Sequence, residues 1–444
     1  MIRLAFLLLG GDALRPQWRL LAIVGAITCL LGLLMLADLS DGKLSVVTDT
    51  LGILLALHGL VELAAAMLLG VRTHLRAVAR GLAFLIAGFL VADIPWDNNI
   101  GSATLFGAAF AIDGVLRIAS AAVVRNPRWR QGLAAGLVEI TLAIVILAGH
   151  PLPHRLTVPF CLALLLLSSG YTLFQLAMQL RALGPGRSVT SLPFYASRNW
   201  HGGGGHGYEN RGAGAEFPGQ TLMLHVWTAT GSADGGHGPI VVRRYVAAVD
   251  RHGVVSTGHA ALELPPDLYV SHYPAVEIDR DSDDFRHLLD SRTQNDVAGR
   301  FQPSYAEEVA GWCPADQTVT FTRFNPAALR AFWREYSQDT TYNLTARNCS
   351  SSSILALDAA MEGVLRDGKP LRRLLKLLVD PHFWLLRLVR GRAELMTWTP
   401  GLALDYARFL HEVTERGDRR WRQRLQDAWR ERHIAARARI GERA

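Results

Sequence analysis

From residue 20 to residue 183 the chain is almost wholly apolar, arranged as six long runs with short polar breaks between them. The runs lie near 20–38, 47–70, 79–95, 102–124, 132–150 and 157–180, each about the 20 residues that a helix needs to cross a bilayer. Six such runs in series predict a membrane domain over residues 1–185. The opening stretch "MIRLAFLLLGGDALRPQW" holds too short an apolar run, and no cleavage pattern, for a secretory signal. Beyond residue 186 the pattern becomes that of an ordinary soluble protein.

The six runs read as three copies of one helix hairpin. "VGAITCLLGLLMLAD" aligns with "RGLAFLIAGFLVAD" and with "AGLVEITLAIVILAG", which puts Gly25, Gly81 and Gly136 in step. The second helices align as "HGLVELAAAMLLG", "DGVLRIASAAVVR" and "SGYTLFQLAMQLR", with Gly59, Gly114 and Gly170 in register. The period of 55–56 residues is that of a repeated supersecondary unit. Glycines at matched positions predict close helix–helix approach, because small residues let backbones pack in lipid. This layout and glycine placement resemble the HdeD family of six-span membrane proteins associated with acid resistance. The resemblance implies a membrane module in a bacterial inner membrane and carries no catalytic residue across.

Basic residues set the orientation. Arg3, Arg15 and Arg19 precede the first span; Arg72, Arg76 and Arg80 lie in the second loop, and Arg125, Arg128 and Arg130 in the fourth. The odd-numbered loops carry only Lys43 and Arg155. The positive-inside bias therefore predicts a multi-pass protein with both termini cytoplasmic. Glu62, Asp113, Arg117 and Glu139 fall inside spans, with His58 beside Gly59. Such charges are costly in lipid. Interhelical pairing, for instance of Glu62 or Asp113 with Arg117, is favoured over an ion path.

Residues 186–219 form a linker whose end, "NWHGGGGHGYENRGAGAEFPG", is Gly-rich and polar, with His201 and His206 read as solvated loop positions. Alternating patterns then predict strands at 221–230, 239–250, 258–264, 267–275 and 317–325, followed by helices at 326–338 and from Cys349 onward. That order predicts an α+β domain over about 220–365.

Chemistry concentrates at "YNLTARNCSSSSILALDAAM" and "TGHAALELPPDLYVSHYPA". Cys349 precedes its apolar run, at a helix mouth where unpaired N–H groups and the dipole favour a thiolate. His259 begins one strand and His272 lies on the next, joined by a tight "PPD" turn, so antiparallel pairing is expected to bring both histidines together. A nucleophile, a base and an orienting group are what thiol catalysis needs. The order His before Cys, with "GHxxLEL" on a strand and "NC" opening a helix, resembles the circularly permuted papain-like superfamily over about residues 220–362. That group includes NlpC-type hydrolases, relatives of lecithin:retinol acyltransferase and a bacterial lipoprotein N-acyltransferase family. The resemblance implies Cys349 as nucleophile, His259 as base and His272 as the third polar group. The run Ser350–Ser353 departs from it, where those families often carry aromatic or apolar residues.

The four cysteines, Cys29, Cys161, Cys313 and Cys349, lie far apart, and neither a disulfide framework nor a metal spacing is visible. No cofactor is expected. The formal charge of +7 is exceeded by the excess of basic residues in 366–444 alone, which hold 19 Lys+Arg against 10 Asp+Glu. There "KPLRRLLKLLVDPHFWLLRLVRGR" reads as a basic amphipathic tail suited to inner-leaflet lipids, and interleaved acids with no recognisable motif argue against nucleic acid. The whole chain thus reads as a membrane all-α six-helix domain, a permuted papain-like α+β domain and a basic helical tail. The implied function is a cysteine-dependent hydrolase or acyltransferase acting on an amide, ester or thioester of a peptide or lipid acyl substrate. A non-enzymatic, stress-associated membrane protein with a binding-only soluble domain is the alternative, and self-association into a homo-oligomer is left open.

Overall fold

The computed structural model describes residues 1–37, 39, 45–69, 75–92, 99–125, 129–192, 219–228, 248–249, 255–256, 258–276, 288–366, 369–378 and 380–415. The Gly-rich stretch with His201 and His206, most of the strand expected at 239–250, and the Arg-rich stretch 419–440 lie outside them. Helices predominate. They are α1 (Ile2–Leu9), α2 (Trp18–Ala37), α3 (Ser45–Leu69), α4 (Leu75–Ala92), α5 (Asn99–Val124), α6 (Trp129–Ala148) and α7 (Thr157–Ala182). There follow β1 (Leu222–Trp227), β2 (His259–Leu264), β3 (Leu268–Val270), β4 (His272–Pro274), β5 (Val297–Phe301), α8 (Tyr305–Gly311), β6 (Gln317–Phe321), α9 (Pro326–Tyr336) and β7 (Thr341–Tyr342). The series closes with α10 (Cys349–Met361), α11 (Pro370–Leu378), α12 (Pro381–Leu395) and α13 (Pro400–Glu415). Two-residue strands at Ala248–Val249 and Val255–Ser256 pair with each other.

Among the described residues four helical stretches are long and apolar enough to cross a membrane: Gly11–Ala37, Asn99–Val124, Trp129–Ala148 and His154–Ala182. Shorter apolar helices run over Gly52–Ala64 and Val78–Ala92. The chain divides into two compact units, one of Met1–Val24, Leu116–Gly136 and Thr172–Gly417, the other containing Gly25–Val115 and Leu137–Tyr171.

In the second unit Gly25, Gly59, Gly81 and Gly170 are contact points. A Cβ built on Gly59 would lie 2.6 Å from the carbonyl oxygen of Gly81, and one on Gly170 would lie 2.8 Å from that of Gly25. The first pair brings α3 against α4, and the second brings α7 against α2. Only hydrogen fits there, because the obstacle is backbone that cannot rotate away. Glu62 pairs with Arg80 at 3.5 Å and with His58 at 3.8 Å, so α3 and α4 also share a charge contact.

Besides the pair Ala248–Val249 and Val255–Ser256, the first unit holds two larger antiparallel sheets. One has the order β3-β2-β1-β6, with Trp227 opposite His259 and Leu224 opposite both Leu262 and Val319. The other has the order β4-β5-β7 and pairs His272 with Phe301. α10 packs on the first sheet through Ile354 and Leu357, which are fully buried with Leu224, Val226 and Leu262 in one apolar core.

That core takes in two segments assigned elsewhere from sequence. The first is the N-terminus: Leu4 to Leu9 are buried in it, and the Leu7 and Leu8 carbonyls accept from the N–H groups of Gly363 and Leu365 at 2.9 and 2.8 Å. Gly10 and Gly363 meet there at positive φ, and a Cβ on Gly10 would stand 2.9 Å from Gly363 Cα. The second is the expected tail. Leu374 and Leu377 of α11, Phe383 and Leu386 of α12, and Tyr406 and Leu410 of α13 are buried in the same core. The apolar stripe of α11 is therefore largely covered by protein, and the compact unit runs on well past residue 365. A short periodic stripe looks alike whether lipid or a neighbouring helix covers it.

Candidate thiol site

Asn348 caps α10. Its side chain accepts from the Ser351 N–H at 2.8 Å, and the Ser351 hydroxyl accepts from the Asn348 N–H at 2.8 Å, forming a capping box. Cys349 is thereby held as the first residue of the helix, buried at 8% exposure. The four serines that follow are all buried, each with a hydrogen-bonding task. Ser350 Oγ lies 3.8 Å from Cys349 Sγ, Ser352 donates to the Cys349 carbonyl at 2.9 Å, and Ser353 donates to the Ala260 carbonyl at 3.0 Å. Small hydroxylated side chains let the helix lie against β2 and satisfy backbone acceptors there, which apolar residues would leave unpaired.

His259, the first residue of β2, hydrogen-bonds the thiol of Cys349. Its Nε2 lies 2.9 Å from Ser271 Oγ and 3.2 Å from Glu308 Oε1, which leaves Nδ1 to face the sulfur. Tyr273 stacks on the imidazole with ring centroids 4.2 Å apart, and Trp227 closes the other side at 5.4 Å. Glu308, buried at 4% exposure, accepts from Tyr269 at 2.5 Å, Tyr273 at 2.6 Å and Ser271 at 2.8 Å. Three hydroxyl donors offset the desolvation of this carboxylate. In turn it holds the imidazole with its proton on the nitrogen away from the thiol.

The electrostatics follow from these contacts. Burial alone would push the Cys349 thiol up. The charge of His259 and its hydrogen bond, then the Ala260 N–H and the Ser350 hydroxyl, outweigh burial and hold the thiol below its ordinary value. Burial, reinforced by the Glu308 carboxylate, drives the phenols of Tyr269 and Tyr273 well up, so both remain donors.

His272, expected to complete the set, is placed differently. Leu262 pairs with Val270 and Leu264 with Leu268, a register that sets Tyr273 opposite His259 when extended. Neighbouring side chains alternate between faces, so Ser271 and Tyr273 reach the imidazole and His272 turns to the second sheet. There its Nε2 lies 3.2 Å from the Thr340 carbonyl and its ring packs on Phe301 and Tyr342. Burial lowers its pKa to about 4. The third group on the imidazole is Glu308 instead. Its sequence context, "SYAEEV", marks a capped helix with Ser304 accepting from the Glu307 N–H. Nothing in the spacing distinguishes Glu308 from its exposed neighbour Glu307.

A cavity of about 220 Å³ opens beside Cys349. Its walls come from the Leu116–Val124 end of α5, from Tyr342–Thr345, and from the Met396–Pro400 loop. That loop is tied to the helix cap, since Asn348 Nδ2 donates to the Trp398 carbonyl at 3.0 Å. Among the described residues no group of three His, Cys, Asp or Glu side chains is placed to hold a metal ion. Comparison with known protein families, characterised proteins and solved structures finds no match to this chain.

Proposed function

We propose that the chain is a membrane-anchored thiol enzyme of the permuted papain-like kind, a hydrolase or acyltransferase acting on an amide, ester or thioester. The observation that carries this reading is the buried line Cys349–His259–Glu308 at the start of a capped helix, with a cavity that Cys349 helps to line. The Cys349 thiolate attacks the acyl carbonyl carbon, and the C–O, C–N or C–S bond to the leaving group breaks as the thioester forms. The His259 imidazolium gives its proton to the leaving group, then takes one from the acceptor that attacks the thioester and restores the thiol. The backbone N–H of Cys349 is available to the developing oxyanion at the helix start. Glu308 keeps the imidazole oriented and offsets its positive charge.

The membrane part is read as six spans in an HdeD-like arrangement with both termini cytoplasmic. Burial of Ile2–Leu9 in the core that also holds α10 supports placing the N-terminus and the thiol domain on one side, as does the Arg bias of the even loops. Exposed Leu375 and Trp384, near Arg372, Arg373 and Lys376, support contact with inner-leaflet lipids.

The test is labelling of the purified full chain with a thiol-directed activity probe, beside Cys349→Ala. Selective loss of label in the variant, with Cys313 labelled equally in both, is the expected result. Equal labelling of both proteins would favour a binding-only domain.

A further inference from the structure

The cavity at Cys349 has a wall that a tethered soluble enzyme would not need. Leu116, Ala119, Ser120 and Val123 line it, and their spacing is that of one face of a helix. They belong to α5, one of the stretches long and apolar enough to cross a membrane. The end of α5 is pinned in place, since the Val124 carbonyl accepts from the Ser291 N–H at 2.8 Å. Leu116 is 37% exposed and also lines the cavity.

The polar groups around the cavity are already engaged. Ser120 donates to the Leu116 carbonyl at 2.7 Å, Thr397 to the Thr345 carbonyl at 2.6 Å, and Thr345 hydrogen-bonds Asn343 at 3.1 Å. The Asn348 amide is spent on the Leu344 and Trp398 carbonyls. A peptide placed there would bury N–H and C=O groups without partners, at a cost of several kcal/mol, whereas a hydrocarbon chain leaves nothing unpaired.

We infer that this cavity seats a linear hydrocarbon chain of the group that Cys349 attacks, and that the α5 face sets the length of chain accepted. The membrane helix is then part of the specificity pocket as well as an anchor. This rests on the thiol-enzyme reading above.

The test uses the full chain in lipid nanodiscs, alkylated at Cys349 by N-methyl, N-octyl and N-dodecyl iodoacetamide and by an N-iodoacetyl tripeptide. The rate at Cys349, read by mass spectrometry, is taken as the ratio of each reagent to the N-methyl compound, and comparison between proteins in one membrane cancels partitioning. Ala119→Trp fills the cavity from an exposed position and is expected to cut the dodecyl ratio on the order of tenfold. Val123→Ala enlarges it and is expected to raise that ratio, while the tripeptide ratio stays low throughout. Dodecyl ratios alike in all three proteins, or a tripeptide preferred to the alkyl reagents, overturn the inference while leaving a reactive thiol intact. N-methyl labelling that follows ordinary cysteine with pH removes the thiol-enzyme reading and the inference with it.

Discussion

Ser353 Oγ donates to the carbonyl of Ala260 at 3.0 Å, and Ala260 is the residue after His259. The helix that starts with Cys349 is thus fastened, one turn in, to the strand that starts with His259. The same hydroxyl stands 3.5 Å from the Val270 carbonyl on the neighbouring strand. Ser353 is completely buried, so Ser353→Ala loses a hydrogen bond that water cannot replace and should cost about 1–3 kcal/mol. Thermal melting of the purified variant measures that cost. A melting temperature equal to wild type would mean the helix is held by packing alone.

Cys349 should react as a thiolate at a pH where ordinary cysteine is protonated, because His259 and the Ala260 N–H favour its charged form over burial. Alkylation by iodoacetamide against pH should rise through a midpoint below that of free cysteine. In His259→Ala the imidazole's share is lost and only the Ala260 N–H and the Ser350 hydroxyl oppose burial, so the midpoint should rise from its wild-type position. If Cys349 and His259 work as the proposed nucleophile and base, turnover in the Cys349, His259 double variant should equal that of Cys349→Ala. A midpoint that His259→Ala leaves in place contradicts the pairing.

The helix mouth at Cys349 was legible because capping is local: Asn348 and Ser351 are three residues apart and meet within one turn. The strand start at His259 was legible from alternation and the turn at Pro265–Asp267. The partner of His259 was not, because it depends on register. A shift of one residue decides whether position 272 or positions 271 and 273 face the base, and the apolar pattern of "LYVSHYPA" permits either. Glu308 lies 49 residues beyond His259 in sequence and is recruited only by tertiary packing. The same holds for the α5 wall, whose apolar face reads as lipid-facing until a cavity is found behind it.

His272 supplies a stability test separate from catalysis. Its folded pKa is about 4 because burial penalises the cation, while an unfolded histidine titrates near 6.5. The folded state therefore binds the proton less well than the unfolded chain. The contribution is intact above about pH 6.5 and is lost as pH falls toward about 4, roughly 3 kcal/mol over that window. Denaturation midpoints across this range should fall on acidification in wild type and flatten in His272→Gln. Equal slopes in the two proteins would show that His272 gains its proton without penalty.

The burial of Ile2–Leu9 beside α10 makes topology testable from either end. Reporter fusions at residue 1, at residue 185 and at the C-terminus should all read cytoplasmic. Leu8→Asp would set a charge in the core that Leu8 fills at 0% exposure, so it should destabilise the thiol domain although it lies more than 200 residues away in sequence. Proteolysis of the 220–415 region in membranes would register this. A periplasmic signal from the first fusion, or a Leu8→Asp protein as protease-resistant as wild type, would separate the N-terminus from that core.

Glu308 gives the sharpest division between a positioning carboxylate and a merely buried one. It takes four contacts, from Tyr269, Tyr273, Ser271 and His259, and replacing it with alanine would strand three donors and confuse folding with function. Glu308→Gln keeps the shape but puts an N–H₂ where an acceptor stood, so the imidazole loses its anionic partner and the tautomer that leaves Nδ1 free to accept. An amide in place of a triad carboxylate can cost on the order of 10⁴ in turnover without disturbing the fold. Turnover of an acyl substrate by Glu308→Gln should therefore collapse while its melting temperature stays near wild type. The iodoacetamide midpoint of Cys349 should rise as well, since a less basic imidazole shares the thiol proton less well, and this readout needs no substrate. His272→Gln should leave that midpoint where it is. The assignment of Glu308 as the orienting group would have to be given up if the two variants exchanged these behaviours.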